Sequence, residues 1–332
     1  VVRLESSDGI VGWGEAAPLP GYDGASLEEV RAALDAYGSV LARAGEGPRQ
    51  QLLASCAGTL DLPEALAAVD LALWDLEGRR RGQPVWQLLG GRWDITSDIA
   101  KRYPNRPAVA VNATVAARDP LEVAAEVAAA RAAGFRCVKV KVALGDDPVR
   151  MNAARSAGGD QMAIRIDANG AWRSVEEAVA ALRELARFGI ELCEEPAHGL
   201  EEIAAVAAAS PIPIALDETA AAPGALERRV CDAACLKIAR SGGLAGLRDR
   251  AAQARAAGYR IYIASTLDGP LSVAAALHAA VALRPELPCG LATLGGFADR
   301  PDPLPSRGGL MSPPSGSGLG EGLRGWYGIG PG

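Results

Sequence analysis

The feature that most constrains this chain is a series of charged residues spaced like the strand ends of a repeating βα unit. The segments read Val138-Lys139-Val140-Lys141, Ile166-Asp167-Ala168-Asn169, Glu194-Glu195-Pro196, Leu216-Asp217-Glu218 and Leu236-Lys237-Ile238. Each follows the last after roughly 20 to 27 residues, about one strand plus one helix. A parallel barrel gathers the C-terminal ends of its strands at one mouth, so residues far apart in sequence meet there.

The rhythm predicts strands at Val109–Val115, Cys137–Val142, Ala163–Asp167, Glu191–Glu194, Ile214–Asp217, Ala233–Ile238, Arg260–Ser265 and Gly290–Thr293, with helices in the gaps. The expected class is α/β: a parallel (β/α) barrel of seven to eight strands over residues 99–302. Residues 1–98 break the rhythm. Val1–Glu5 and Val11–Glu15 read as a hairpin, Ser26–Ala44 as a helix opened by a Ser26/Glu29 capping box, and Leu62–Arg80 as a second helix. They predict a small N-terminal α+β capping domain. Trp93–Pro107 is polar and irregular, which suits a linker. The Gly/Pro/Ser-rich tail, residues 303–332, is expected to pack back on the capping domain. Its stretch Gly316–Gly322 has no preceding strand to make it a phosphate loop.

Composition excludes several classes. A chain of 332 residues, 49% hydrophobic and 22% charged, reads as a soluble globular protein of two units. A net charge of −6 gives no footprint for nucleic acid, and no apolar run is long enough for a membrane span. The six cysteines form no CxxC pair, which points to a reducing, cytoplasmic setting without disulfides. Two histidines leave little for a zinc site or a Ser-His-Asp triad.

Lys139 and Lys141 lie two apart on a strand and share a face. One inward lysine is readily a salt bridge; two opposite Lys237 suggest a base, because like charges and a nearby cation lower a lysine's pKa. Asp167, Glu194 and Asp217 each end a strand. Helix capping accounts for one such acid, but three in succession suit a hard cation held by oxygen atoms. Period two turns Glu195 and Glu218 to the other face, as salt-bridge partners. Asn169, two after Asp167, is placed to orient a ligand or a lysine.

This set resembles the enolase superfamily, in its muconate-lactonizing-like subgroup, over nearly the whole chain. The resemblance matches Lys139 and Lys141 to the family's Lys-x-Lys, Asp167, Glu194 and Asp217 to its Mg²⁺ ligands, with Mn²⁺ as a substitute, and Lys237 to the lysine of the opposite face. It implies a modified TIM barrel, a small carboxylate substrate, and a monomer or homo-oligomer. Gly12–Tyr22 looks like the mobile capping loop of the o-succinylbenzoate synthases, and Cys289–Leu294 and Ser265–Asp268 look like their barrel-mouth segments. Pro20, Gly21, Tyr22, Asn169, Ser265, Thr266 and Leu267 are then expected to touch substrate.

The implied activity is a lyase reaction of menaquinone biosynthesis, syn elimination of water with Lys141 as base and acid. Dipeptide epimerases carry an Asp-x-Asp near the last strand to hold an ammonium, and Leu291–Gly296 has none. N-succinylamino acid racemases and other racemases, epimerases or cycloisomerases of the superfamily use the same lysines. Two readings lie outside it: a Schiff-base aldolase using Lys237 or Lys141, and a non-catalytic scaffold.

Overall fold

The computed structural model describes residues 1–92, 98–102 and 106–330. Most of the expected linker, residues 93–97 and 103–105, lies outside them.

The chain opens with an antiparallel hairpin, β1 (Val2–Glu5) and β2 (Val11–Gly14), pairing Val2 with Gly14. A short turn of helix, α1 (Pro20–Asp23), follows, then α2 (Leu27–Ala44), α3 (Arg49–Ala57) and α4 (Pro63–Arg81). The capping box is present: Ser26 accepts from Glu29 N and the Glu29 side chain accepts from Ser26 N. Such a cap contributes about 1 kcal/mol. Helix α4 is buried along most of its length, between β2 and the barrel. β2 lies so close to it that a Cβ on Gly12 would strike the Ala72 carbonyl oxygen, and one on Gly14 that of Ala68. Short helices α5 (Val85–Leu88) and α6 (Asp98–Arg102) lead to the barrel.

The strand expected at Val109–Val115 is split. β3 (Val109–Ala110) pairs antiparallel with a tail strand, and β4 (Ala113–Val115) begins the parallel sheet. That sheet continues through β5 (Cys137–Lys141), β6 (Ala163–Asp167), β7 (Ile190–Glu194), β8 (Ile214–Leu216), β9 (Ala233–Leu236) and β10 (Arg260–Ile263), each beside the next in sequence order. Helices α7 (Pro120–Ala132), α8 (Asp147–Gly158), α9 (Val175–Leu185), α10 (Leu200–Ala209), α11 (Leu244–Ala257) and α12 (Pro270–Leu283) pack outside. Between β8 and β9 the expected helix is replaced by a single 3₁₀ turn, Glu218–Ala221.

The eighth strand expected at Gly290–Thr293 is not a regular strand. Cys289 and Gly290 make single bridges, to Val111 on one side and Ala264 on the other. Four backbone hydrogen bonds hold them: Cys289 N to Ala110 O, Asn112 N to Cys289 O, Gly290 N to Ile263 O and Ser265 N to Gly290 O. Those bonds close seven strands into a ring of eight segments.

The tail passes through β11 (Leu310–Met311), the partner of β3, and then returns to α4, where Leu319 N donates to Asp75 and, just past the helix, Gly318 N to Gln83 O. Glu15 ties three parts together, accepting from Gly269 N and Ser272 N at the start of α12 and from the Tyr327 hydroxyl. All six cysteines are buried and unpaired. No described helix is long and apolar enough to cross a membrane.

Candidate active site

Strand register delivers the charged set to the barrel mouth. Lys141 pairs with Asp167 across β5 and β6, and Asp167 with Glu194 across β6 and β7. Asp217 follows the last residue of β8, and Lys237 the last of β9. The three acids are almost fully buried, at 1%, 1% and 3% exposure for Asp167, Glu194 and Asp217.

Ammonium groups cross-link these acids. Lys139 Nζ lies 3.0 Å from Asp167 Oδ2 and 2.8 Å from Glu194 Oε2. Lys141 Nζ donates to Asp167 Oδ2 at 2.7 Å and to Asn169 Oδ1 at 2.6 Å. Lys237 Nζ donates to Asp217 Oδ2 and to the Tyr22 hydroxyl, both at 2.8 Å.

The charges follow from this packing. Burial works against the Lys139 ammonium, but Glu194, Asp167 and Asp217 outweigh it and hold its pKa well above the ordinary value. Burial likewise opposes the Lys237 charge, and Asp217 outweighs it. The expectation that neighbouring charges depress the paired lysines is therefore reversed at Lys139: buried carboxylates at hydrogen-bond distance dominate over like charges. Asp167 and Asp217 sit below the usual carboxylate range, because Lys139 and Lys141, or Lys237 and Lys139, overcome burial. Burial wins at Glu194 and raises it.

A divalent cation fits the donor set. The donors are all oxygen, buried, and drawn from three neighbouring strands. Asp217 Oδ1, fully buried, is left without an aligned hydrogen bond although Lys237 Nζ lies 2.7 Å away. The carboxylates point at the ammonium groups rather than at a common centre, and no three His, Cys, Asp or Glu side chains among the described residues form a metal-holding group.

The three lysines line a cavity of about 840 Å³, with Asp167, Glu194 and Asp217 buried behind them rather than in its wall. Of the expected substrate contacts, Gly21, Tyr22, Asn169, Ser265, Thr266 and Leu267 line it with Lys139, Lys141 and Lys237. Pro20 is not among its lining residues; its neighbour Leu19 is, where Pro20 instead starts α1. Tyr22 is gripped from the barrel side. Its ring lies 4.4 Å from Lys237 Nζ and 4.6 Å from the Arg240 guanidinium, which also donates to the Tyr22 carbonyl at 2.7 Å. Leu267 takes a left-handed backbone, φ 58°, beside a turn in which Thr266 N donates to Asp268 Oδ2 and Asp268 N to Ser265 Oγ.

Glu195 and Glu218 both follow their strands and take loop geometry, but only Glu218 differs from expectation; Glu195 stays off the cavity. Glu195, at φ 38°, accepts from Asp217 N, Thr219 N and the Thr219 hydroxyl, with the His198 imidazole 3.5 Å away. Glu218 lines the cavity. The sequence reading also passed over Thr114, Ala116, His198 and Thr293 in the cavity wall. It missed Arg165 too, which closes the other end of the barrel through Glu191 Oε2 and Pro288 O. Arg165 lies two before Asp167, so period two is the signal that turns it to the same inward face.

Residues 1–90 match the mandelate racemase / muconate lactonizing enzyme N-terminal domain, and residues 122–325 match the enolase C-terminal domain-like family. This chain is a member of the enolase superfamily. It is 31% identical to the L-Ala-D/L-Glu epimerase of Bacillus subtilis over 86% of this chain and 77% of that protein. A substrate-liganded structure of that epimerase superposes with a TM-score of 0.83, at 29% identity, covering 96% of this chain and 89% of the other. The N-succinyl-L-Arg/Lys racemase of Bacillus cereus is 27% identical over 84% of this chain and 75% of its own length. An o-succinylbenzoate synthase of Mycolicibacterium smegmatis is 42% identical over 62% of this chain and 66% of its own. A dipeptide epimerase of Cytophaga hutchinsonii, solved with Mg and a dipeptide, superposes with a TM-score of 0.82 at 25% identity over 97% of this chain and 89% of that one.

Proposed function

We propose that this protein is a metal-dependent racemase that inverts the α-carbon of N-succinylamino acids. The observation that carries the reading is the placement of Lys141 and Lys237. They end β5 and follow β9, four positions apart in a ring of eight segments, and both line one cavity. Lysines so opposed can reach the two faces of one carbon. A 1,1-proton transfer requires such a pair, whereas a syn elimination requires only one group.

The division of labour follows. A divalent cation on Asp167, Glu194 and Asp217 would supply Lewis-acid polarisation of the substrate carboxylate, making the α-proton of a weak carbon acid removable. Lys141 takes that proton from one face and Lys237, an ammonium, returns one to the other; the opposite enantiomer is inverted from the complementary state left by that turnover, with Lys141 protonated and Lys237 neutral. Lys139, charged between Asp167 and Glu194, meets the negative charge that develops at the carboxylate. Leu19 and Tyr22 cover the cavity against water. Leu19 and Leu267, at 38% and 57% exposure, offer an apolar rim to the substrate's side chain.

Three features support this order of preference, which reverses the one expected from the loop resemblance. The epimerase and racemase relatives align over more than four-fifths of this chain, and the synthase over less than two-thirds. Of the synthase-like final segment, only Gly290 and Thr293 line the cavity. Leu291–Gly296 holds no acid for a substrate ammonium, which favours an acylated amine over a dipeptide. Dehydration to o-succinylbenzoate is the second reading, favoured by the 42% identity of its matching portion. The test is kcat/KM for racemisation of N-succinyl derivatives of apolar amino acids against dehydration, under matched Mg²⁺. Racemisation is expected to be faster; a tenfold advantage for dehydration, about 1.4 kcal/mol in barrier, would put the second reading first.

A further inference from the structure

We propose that Glu218 is a positioning residue for Lys141, acting through the side-chain amide of Asn169; this rests on the role of Lys141 as a base. Asn169 Oδ1 accepts from Lys141 Nζ at 2.6 Å, and Asn169 Nδ2 donates to Glu218 Oε1 at 3.2 Å. An amide has one accepting and one donating end. With its oxygen on the ammonium, its nitrogen must find an acceptor on the far side, and Glu218 provides one. Turned over, the amide would set its N–H groups against the ammonium and its carbonyl against the carboxylate. Glu218 therefore selects the orientation that holds Lys141.

Both ends of this relay are built in place. Asn169 has a left-handed backbone, φ 46°, a conformation asparagine tolerates better than most residues. Its own N–H donates to Asp167 Oδ1 at 3.0 Å. On the other side, the backbone N–H groups flanking Glu218, those of Asp217 and Thr219, both donate to Glu195, at 2.8 and 2.9 Å. The relay thus spans the ends of β8, β6 and β5. Lys141 is the most exposed of the three cavity lysines, with its side chain 27% accessible against 13% for Lys139 and 5% for Lys237. It has one carboxylate partner, Asp167, and the relay supplies its second restraint. Lys237, by contrast, is fixed by Asp217 and Tyr22; Glu218 reaches it only indirectly, through Tyr22, whereas Asn169 bonds Lys141 itself.

That asymmetry makes the inference testable. Exchange of the α-proton is followed separately for each enantiomer of an N-succinylamino acid in D₂O. The enantiomer facing Lys141 is the one whose exchange is lost in Lys141→Ala and survives in Lys237→Ala. Glu218→Ala is expected to slow that exchange on the order of 10- to 100-fold, the cost of a misplaced base, and to slow the other enantiomer much less, because Glu218 meets Lys237 only through Tyr22. Glu218→Gln, which retains an accepting oxygen, should restore most of the rate. Asn169→Ala should give the same asymmetry, and the double variant no further loss. Equal slowing of both enantiomers, or of neither, would overturn the proposal. If the wild-type enzyme exchanges neither enantiomer but dehydrates the o-succinylbenzoate precursor, the racemase reading fails by itself. The relay is then judged on kcat of dehydration, where an unchanged rate in Glu218→Ala would refute it. Should Glu218→Ala fold poorly, Asn169→Ala carries the same comparison.

Discussion

The hydroxyl of Tyr22 donates to Asp217 Oδ2 at 2.7 Å, joining residues 195 positions apart. Lys237 donates to both of them. Burial and the nearby Asp217 and Glu218 carboxylates keep the phenol protonated, so it remains a donor to Asp217. Tyr22→Phe keeps the ring under Lys237 and Arg240 but removes that donor. A hydrogen bond to a charged group contributes about 1.5–3 kcal/mol. The variant should therefore lose roughly tenfold or more in kcat/KM with little change in fold, read by steady-state kinetics and circular dichroism. Wild-type kinetics would show that the hydroxyl does not hold Lys237.

The two lysines should separate by face. Lys141→Ala and Lys237→Ala are each expected to lose racemisation by at least about 10²- to 10⁴-fold, the usual contribution of a general acid or base. Each should retain α-proton exchange of one enantiomer, and the two variants should retain opposite ones. Loss of both exchanges in a single variant would contradict the two-base assignment.

Metal dependence can be measured without turnover. Asp217→Asn removes one negative charge from the proposed ligand set and leaves Lys237 with a weaker partner. Calorimetric titration with Mn²⁺ should show a single site in the wild type, and binding weakened by at least about tenfold in Asp217→Asn and Glu194→Gln. Chelation should abolish activity, and added Mg²⁺ or Mn²⁺ should restore it. Unaltered Mn²⁺ affinity in both variants would remove these carboxylates from the ligand set.

Acid stability should report His278. Burial on α12 lowers its pKa to about 4, against 6.5 for an ordinary histidine, and Nδ1 accepts from Trp86 N at 3.2 Å. The folded state holds the imidazole neutral while the unfolded chain protonates it. This contribution is fully present above pH 6.5 and is lost as pH falls towards 4. At roughly 1.4 kcal/mol per pKa unit it amounts to about 3 kcal/mol at most. Denaturant titrations at pH 7 and pH 4.5 should show a larger loss for the wild type than for His278→Asn. Equal losses would show that His278 is not the titrating group.

Much of the fold was legible because strand and helix periods are local. The Ser26/Glu29 cap, the β1–β2 hairpin and the strands carrying Lys139, Asp167 and Glu194 all lie where the pattern put them. The pattern failed where local preference yields to closure. Gly290–Thr293 has the apolar run of a strand, yet its role in the ring is met by single bridges at Cys289 and Gly290. The segment after Asp217 suggested a helix and makes one 3₁₀ turn, held by Glu195.

The sequence by itself determined which strands carry Lys139, Lys141, Asp167 and Glu194 and at which end, since period two and the βα repeat depend only on spacing along the chain. It could not determine their charge states or their partners. Lys139 and Lys237 remain ammonium groups because carboxylates from other strands lie within hydrogen-bond distance in a buried site. Glu218 turns inward because loop geometry after β8, rather than strand alternation, sets its direction. Tyr22 meets Asp217 only because the capping domain is docked by Glu15 and Asp75 onto the barrel and the tail. Those distances are set by packing between segments about 200 residues apart, which no local pattern encodes.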